Sequence, residues 1–312
     1  MKKTATREAY GSALLRLGEQ HDHIVVLDAD LSKSTKTAGF AKKYPERFFN
    51  MGIAEQNLLG TAAGLSLAGK IPFASTFAIF ATGRAFEQIR NSIAYPALNV
   101  KIAATHAGLT VGEDGGSHQA LEDIAIMRAL PNMTVVVPAD GVETEKAVEA
   151  AVEYDGPVYL RLGRPSVPVI FGEEYDFQLG KATRLREGED CSIMACGVEI
   201  HEALKAAEVL EKEGLGVRVI NMSSIKPIDK GEIVAAAKET GAIVTAEEHN
   251  IIGGLGSAVA EVLAQEYPVP LEMVGVEDKF GESGKPDELL EKYGLKSGNI
   301  TAAVKRVISR KK

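Results

Sequence analysis

Three segments of this 312-residue chain combine residue types suited to proton transfer and to recognition of a flat ring. The richest is Thr105-His106-Ala107-Gly108-Leu109-Thr110-Val111-Gly112-Glu113-Asp114-Gly115-Gly116-Ser117-His118-Gln119. It holds four glycines, two adjacent acids and two of the six histidines, and it lies between an apolar strand-like run and an apolar helix-like run. Imidazole donates, accepts and shuttles protons near neutral pH, so His106 and His118 are candidate acid–base groups. They lack the close ligand spacing of a structural zinc site, so no metal is assigned to them.

The second segment is Gly52-Ile53-Ala54-Glu55-Gln56-Asn57. Glu55 opens a helix-like run containing Ala62, Ala63, Gly64 and Ala68, a composition that predicts close packing and burial on most faces. A first-turn carboxylate gains from the helix dipole, and burial of that end opposes the gain by desolvation. The residues alone leave open whether Glu55 serves backbone donors or chemistry. The third segment is Thr76-Phe77-Ala78-Ile79-Phe80, followed by Gly83-Arg84-Ala85-Phe86. Phe77 and Phe80, three apart at a predicted helix start, share a face that could pack in the core or stack on a ring. A fourth run, Gly253-Gly254-Leu255-Gly256-Ser257, follows Glu247-Glu248-His249-Asn250. Val259 stands where the third glycine of G-x-G-x-x-G belongs, so tight helix–strand packing is expected there rather than phosphate binding.

The elements that position these segments alternate. The first half predicts helices over 4–20, 54–68, 79–94, 118–130 and 142–152, with strands over 23–27, 71–75, 99–105, 133–137 and 157–161. Residues 166–190, with Pro168 and many charges, show no sustained period and predict a surface linker. Alternation resumes from Cys191, with strands over 191–195, 216–221, 242–246 and 271–276 and helices over 199–213, 230–238 and 254–265, then two more to the end. The pattern predicts an α/β protein of two three-layer αβα domains with mainly parallel sheets, residues 1–165 and 191–312. In such sheets ligands bind beyond the carboxyl ends of strands, so the loops after strands are the places to look for a site.

Together the pieces are more specific than any one. Gly-Ile-Ala-Glu-Gln-Asn, the Thr-Phe helix start, Thr-His followed by Gly-Glu-Asp-Gly-Gly-Ser-His-Gln, and Arg-Ala-Leu-Pro-Asn-Met through Pro-Ala-Asp-Gly at 128–141 occur in that order. The chain resembles the transketolase family, specifically its pyrimidine-binding and C-terminal domains, most strongly over residues 4–165. The resemblance implies thiamine diphosphate as cofactor and transfer of a two-carbon ketol unit from a ketose phosphate to an aldose phosphate. It implies that Glu55 hydrogen-bonds the aminopyrimidine, that Phe77 and Phe80 wall it, and that Asp30 lies beside the cofactor. A further family aromatic corresponds to Gly83, so that wall is incomplete or filled from elsewhere. His106 and His118 match histidines that bind and deprotonate sugar hydroxyls, Asp114 matches a reader of the acceptor's C2 hydroxyl, and Arg7, Ser34 and Arg164 match groups that hold the sugar phosphate.

One family feature is missing. The diphosphate is usually held through Mg2+ by Gly-Asp-Gly and a later Asn, and no Gly-Asp-Gly occurs in this chain. The resemblance therefore implies a separate N-terminal transketolase subunit that supplies the Mg2+ ligands, with an α2β2 assembly and an active site between chains. Rival readings are the β subunit of a 2-oxoacid dehydrogenase, which is not expected to carry the full Gly-Glu-Asp-Gly-Gly-Ser-His-Gln loop, and a deoxyxylulose-phosphate-synthase-like enzyme, normally one long chain. A non-catalytic regulatory subunit is a third, weighed against by the joint presence of Glu55, His106, Asp114 and His118.

Bulk properties narrow the classes. A net charge of -8 argues against a nucleic-acid partner, which needs clustered Lys and Arg. No apolar run approaches the ~20 residues of a membrane span, and no signal peptide is evident at the start. Cys191 and Cys196, the only cysteines, read as reduced structural thiols, so a cytoplasmic location is expected.

Overall fold

The computed structural model describes residues 2–311. Strands such as Ile24–Asp28, with the sequence IVVLD, are buried along their whole length, the pattern of a parallel sheet covered on both faces. That strand divides its side chains between two cores. Ile24 and Val26 join Tyr10, Leu14, Ala147 and Val148 on one side. Val25 and Leu27 join Leu58, Leu59 and Ala62 on the other. Helices Thr6–Gln20 and Gly141–Glu153 therefore cover one face, and helix Glu55–Leu67 covers the opposite one, giving three layers.

This first sheet has seven strands, in the order Ser224–Lys226, Thr134–Val136, Val158–Arg161, Lys101–Thr105, Ile71–Phe77, Ile24–Asp28, Phe48–Asn50. All neighbours are parallel except Ser224–Lys226, which pairs antiparallel with Thr134–Val136 and comes from the second half of the chain. The second sheet runs Leu271–Val276, Ile243–Asn250, Cys191–Ala195, Val217–Asn221, Thr183–Arg186, with only the last pairing antiparallel. Helices Glu199–Lys212 and Ser297–Ile308 cover one face, and Lys230–Thr240 and Leu255–Glu266 the other. The α/β reading with two αβα layers holds.

Several local expectations differ from the structure. The segment read as an unstructured linker contains two strands. Ser166–Pro168 pairs with Lys3–Ala5, and Thr183–Arg186 adds to the second sheet. Short edge strands of mixed polarity carry too little periodicity to stand out in sequence. Helix 118–130 is only Asp123–Arg128, because the preceding loop is held by other contacts. The 79–94 helix contains two π-helical stretches, Phe80–Arg84 and Ile89–Ala94. Helix Glu55–Leu67 is not buried on most faces. Leu58, Leu59, Ala62 and Ala63 face the core, while Gln56, Asn57, Gly60, Gly64 and Leu67 are exposed. Small residues permit close packing, but among the described residues no element covers that side.

At the start of helix Leu255–Glu266, the Leu255 and Gly256 amides donate to the Glu247 carboxylate at 2.7 and 2.8 Å. The helix end is thus satisfied internally, and a Cβ on Gly256 would lie 2.8 Å from Thr245 Oγ1. Cys191 and Cys196 are free and buried. No helix among the described residues is long and apolar enough to cross a membrane.

Candidate active site

The carboxyl ends of the first sheet's central strands converge on one cleft. Strand Ile71–Phe77 ends at Phe77, and the chain turns at once into the π-helical stretch that carries Phe80 and Arg84. The Phe77 and Phe80 rings stack at 5.7 Å between centroids, 16° apart in plane. The adjacent strand Lys101–Thr105 delivers His106, whose imidazole stacks on the other side of Phe77 at 3.8 Å. His118 closes the group edge-on to Phe80 at 5.3 Å. Aromatic groups in offset and edge arrangements of this kind form a firm wall.

Glu55 sits at the first turn of its helix and is 2% exposed. Arg84 Nη1 donates to its Oε1 at 2.9 Å, and the same guanidinium lies 4.2 Å over the Phe80 ring. Widening of the turn at Phe80–Arg84 brings Arg84 to this position, a frequent use of π-helical stretches at functional sites. Sequence reasoning did not single out Arg84. Its place three residues before Glu87-Gln88 gave no sign of the pairing, which spans 29 residues of chain. Gly83 is exposed, and a Cβ there would touch only Ile79, so among the described residues nothing fills the place of the family aromatic.

His106 is held on both ring nitrogens. Arg7 Nη1 lies 3.3 Å from Nε2, and Thr105 Oγ1 lies 2.9 Å from Nδ1. A guanidinium only donates, so Nε2 is the acceptor and Nδ1–H donates to Thr105. Burial, reinforced by the positive charges of Arg7 and Arg164, pushes the imidazole down to about 3, so it stays neutral across the physiological range. Its backbone takes a left-handed φ of 57°, a conformation costly outside glycine and typical of functional positions. Arg7 also donates to the Ser34 carbonyl at 2.9 Å, joining Ser34 to the same cluster.

Arg164 reaches the loop from the far side. It donates to the Val111 carbonyl, lies 3.2 Å from Glu113 and 4.0 Å from Asp114. Arg7, Ser34, Phe77, Phe80, His106 and His118 thus share one cluster, Glu55 joins it through Arg84, and Asp114 joins through Arg164. Asp30 stands apart. It is exposed, has φ of 63°, and accepts from Asn50 Nδ2 at 2.9 Å. The buried neighbour Asp28 was not singled out, yet it organises the loop. It accepts from the Leu31 amide at 2.6 Å, Thr35 Oγ1 at 2.7 Å and Thr37 Oγ1 at 2.9 Å, and burial raises its pKa.

A buried carboxylate, contacted by Arg84 and beside an aromatic wall, can grip a protonatable ring nitrogen of a flat heterocycle. Neutral His106, flanked by arginines, can offer Nε2 to a substrate hydroxyl only where that hydroxyl displaces the Arg7 hydrogen bond. Among the described residues no three His, Cys, Asp or Glu side chains are placed to hold a metal ion.

Comparison with known families agrees with this combination of domains. Residues 2–169 match the transketolase pyrimidine-binding domain, and residues 180–300 match the transketolase C-terminal domain. The chain belongs to the transketolase family. A protein of Methanocaldococcus jannaschii that carries the provisional name of transketolase C-terminal section is 53% identical over 301 residues, 96% of this chain and 94% of that one. Human transketolase is 41% identical over 312 residues, covering 99% of this chain but 50% of its own length. A solved structure described as a split-gene transketolase, inactive β4 tetramer, superposes with a TM-score of 0.93 at 62% identity, covering 99% of both chains.

Proposed function

We propose that this chain is the C-terminal subunit of a split transketolase, active with a separate N-terminal subunit. The observation that carries the reading is the convergence of buried Glu55, the Phe77–Phe80 wall and neutral His106 at one sheet end. Thiamine diphosphate would supply, when bound, the nucleophilic carbon that carries the two-carbon unit. The residues present suit its aminopyrimidine. Glu55 offers a carboxylate in a site shielded from water, where a charged hydrogen bond is strong. Phe77 and Phe80 offer ring faces, and Asp30 lies near the same end of the sheet.

The remaining residues act on the sugar phosphates. Once Arg7 turns to the phosphate, His106 Nε2 is released to accept a substrate hydroxyl's hydrogen bond and assist its deprotonation, and His118 binds beside it. Asp114 reads the acceptor's C2 hydroxyl. Arg7 and Arg164, with Ser34, hold the phosphate at the cleft mouth, where guanidinium forks match its oxygens.

The diphosphate and Mg2+ would be held by the partner subunit. Two observations support a partner. The curated full-length relative is twice as long as the matching region, and the outer face of helix Glu55–Leu67 is open. Ile53 and Leu67, at its two ends, are 79% and 76% exposed. Ile53, two residues from the functional carboxylate, fits an interaction surface on that side. An active site that needs one chain of each kind fixes a 1:1 ratio, which an α2β2 assembly with two such sites satisfies. The two free, buried cysteines suit a reducing cytoplasmic setting.

The test is reconstitution. This chain, the N-terminal subunit, thiamine diphosphate and Mg2+ are mixed and assayed with xylulose 5-phosphate plus ribose 5-phosphate, and separately with pyruvate plus glyceraldehyde 3-phosphate. Ketol transfer from the first pair, by the mixture and not by either chain alone, is the expected outcome. Turnover of the pyruvate pair, or full activity of this chain alone, refutes the reading.

A further inference from the structure

The loop between His106 and His118 is not shaped by its own turns alone. Several of its buried contacts come from the C-terminal domain. Glu248, 4% exposed at the end of strand Ile243–Asn250, accepts the Thr110 amide on Oε1 at 2.5 Å. Gly108, at φ of 81°, presses so closely on that carboxylate that a Cβ would lie 2.6 Å from Glu248 Oε2. The Gln119 side-chain amide donates to the Leu109 carbonyl at 3.1 Å, the Gly112 carbonyl at 3.4 Å and, across the domain boundary, the Glu282 carbonyl at 3.0 Å. The loop glycines meet the same C-terminal segment. A Cβ at Gly115 would lie 2.6 Å from Ser283 Oγ, one at Gly116 2.6 Å from the Gly281 carbonyl, and one at Gly112 3.2 Å from Pro286. Beneath them Arg161 donates to the Ala120 carbonyl at 3.2 Å and the Glu248 carbonyl at 3.0 Å while gripping Asp123.

We propose that Glu248, with Gln119, makes the C-terminal domain the mould of the substrate loop, and that Glu248 is a positioning residue for the acceptor sugar phosphate. It touches no reacting atom. It fixes the Thr110 amide, and through it the path of backbone that carries Asp114 and His118 to the cleft. The glycines of the loop are explained by the same contact: side chains there would displace the C-terminal domain. The assignment of a sugar phosphate to this loop rests on the ketol-transfer reading; the moulding of the loop does not. Burial pushes Glu248 up to about 7, so a neutral carboxamide is a close electrostatic substitute that still offers an acceptor oxygen.

The experiment compares Glu248→Ala and Glu248→Gln in the full chain assembled with its N-terminal subunit. Two readouts are taken: steady-state kinetics at varied acceptor, and amide hydrogen exchange across residues 109–117. Glu248→Ala is expected to raise the acceptor KM about tenfold, with kcat and donor KM changed less than about twofold, and to speed loop exchange about tenfold or more. Glu248→Gln is expected to retain both within about twofold. Should Glu248→Ala not fold, Glu248→Asp serves instead, because the shorter side chain withdraws the carboxylate from the Thr110 amide, and the same rise in acceptor KM and in loop exchange is expected of it. Unchanged acceptor KM and unchanged exchange in the alanine variant overturn the inference, as does equal damage in both Glu248 variants. If the unmodified complex transfers no ketol unit, the functional reading fails, and the exchange arm still decides whether Glu248 moulds the loop.

Discussion

Replacing Glu55 by Gln keeps the side chain's size and an oxygen able to accept from Arg84, while removing the negative charge. The structure sets the stability cost. The partner Arg84 is 50% exposed, so the lost ion pair is worth at most ~1 kcal/mol. Losing the charge at the helix start costs roughly 0.3–1 kcal/mol, and relief of carboxylate desolvation offsets part of both. The net change is therefore within about 2 kcal/mol, a shift of a few degrees in Tm. The catalytic cost is of another size. A positioned proton-transfer group contributes about 10²–10⁴ in rate, or roughly 3–5 kcal/mol in the barrier. Glu55→Gln in the reconstituted complex should thus lose ketol transfer by about that factor, with circular dichroism and Tm close to the parent. Transfer within about threefold of the parent, at full cofactor saturation, would remove Glu55 from its proposed role and with it the central support of the functional reading.

Two further outcomes follow from buried charge. Burial alone would raise the Asp123 carboxyl, but Arg161, 2.7 Å away and 6% exposed, holds it below the usual range. Arg161→Met should therefore cost roughly 3–5 kcal/mol in urea unfolding, and Arg161→Met with Asp123→Leu should recover much of it, because an uncompensated buried carboxylate is worse than an apolar pair. Glu143 is buried in the first turn of helix Gly141–Glu153, accepting from Ala139 N, Asn221 Nδ2 and Tyr175, and burial pushes its carboxyl up to about 7. A raised folded-state pKa means that the carboxyl's contribution is complete below its unfolded value of 4.5 and lost as pH rises through about 7. Parent stability should thus fall relative to Glu143→Gln by roughly 3 kcal/mol from about pH 4 to about pH 8; a flat difference across urea titrations contradicts this.

The order of motifs along the chain, from Gly52-Ile53-Ala54-Glu55 through the Gly-Glu-Asp-Gly-Gly-Ser-His-Gln loop, is a property of sequence alone. So is the run of strands and helices, because Val-rich strands and spaced apolar helix faces are local patterns. Those patterns were sufficient for the α/β class and for marking His106, Phe77 and Phe80 as candidates, with roles that only the resemblance supplied. They could not show that Arg84 meets Glu55, that Arg7 fixes the acceptor nitrogen of His106, or that Ser224–Lys226 crosses to the other sheet. Nor could they show that one face of helix Glu55–Leu67 stays open, or that Glu248 supports a loop 138 residues earlier. Each of these is a contact between segments far apart in the chain. Periodicity reports which way a side chain faces on its own element; only packing decides what it meets there.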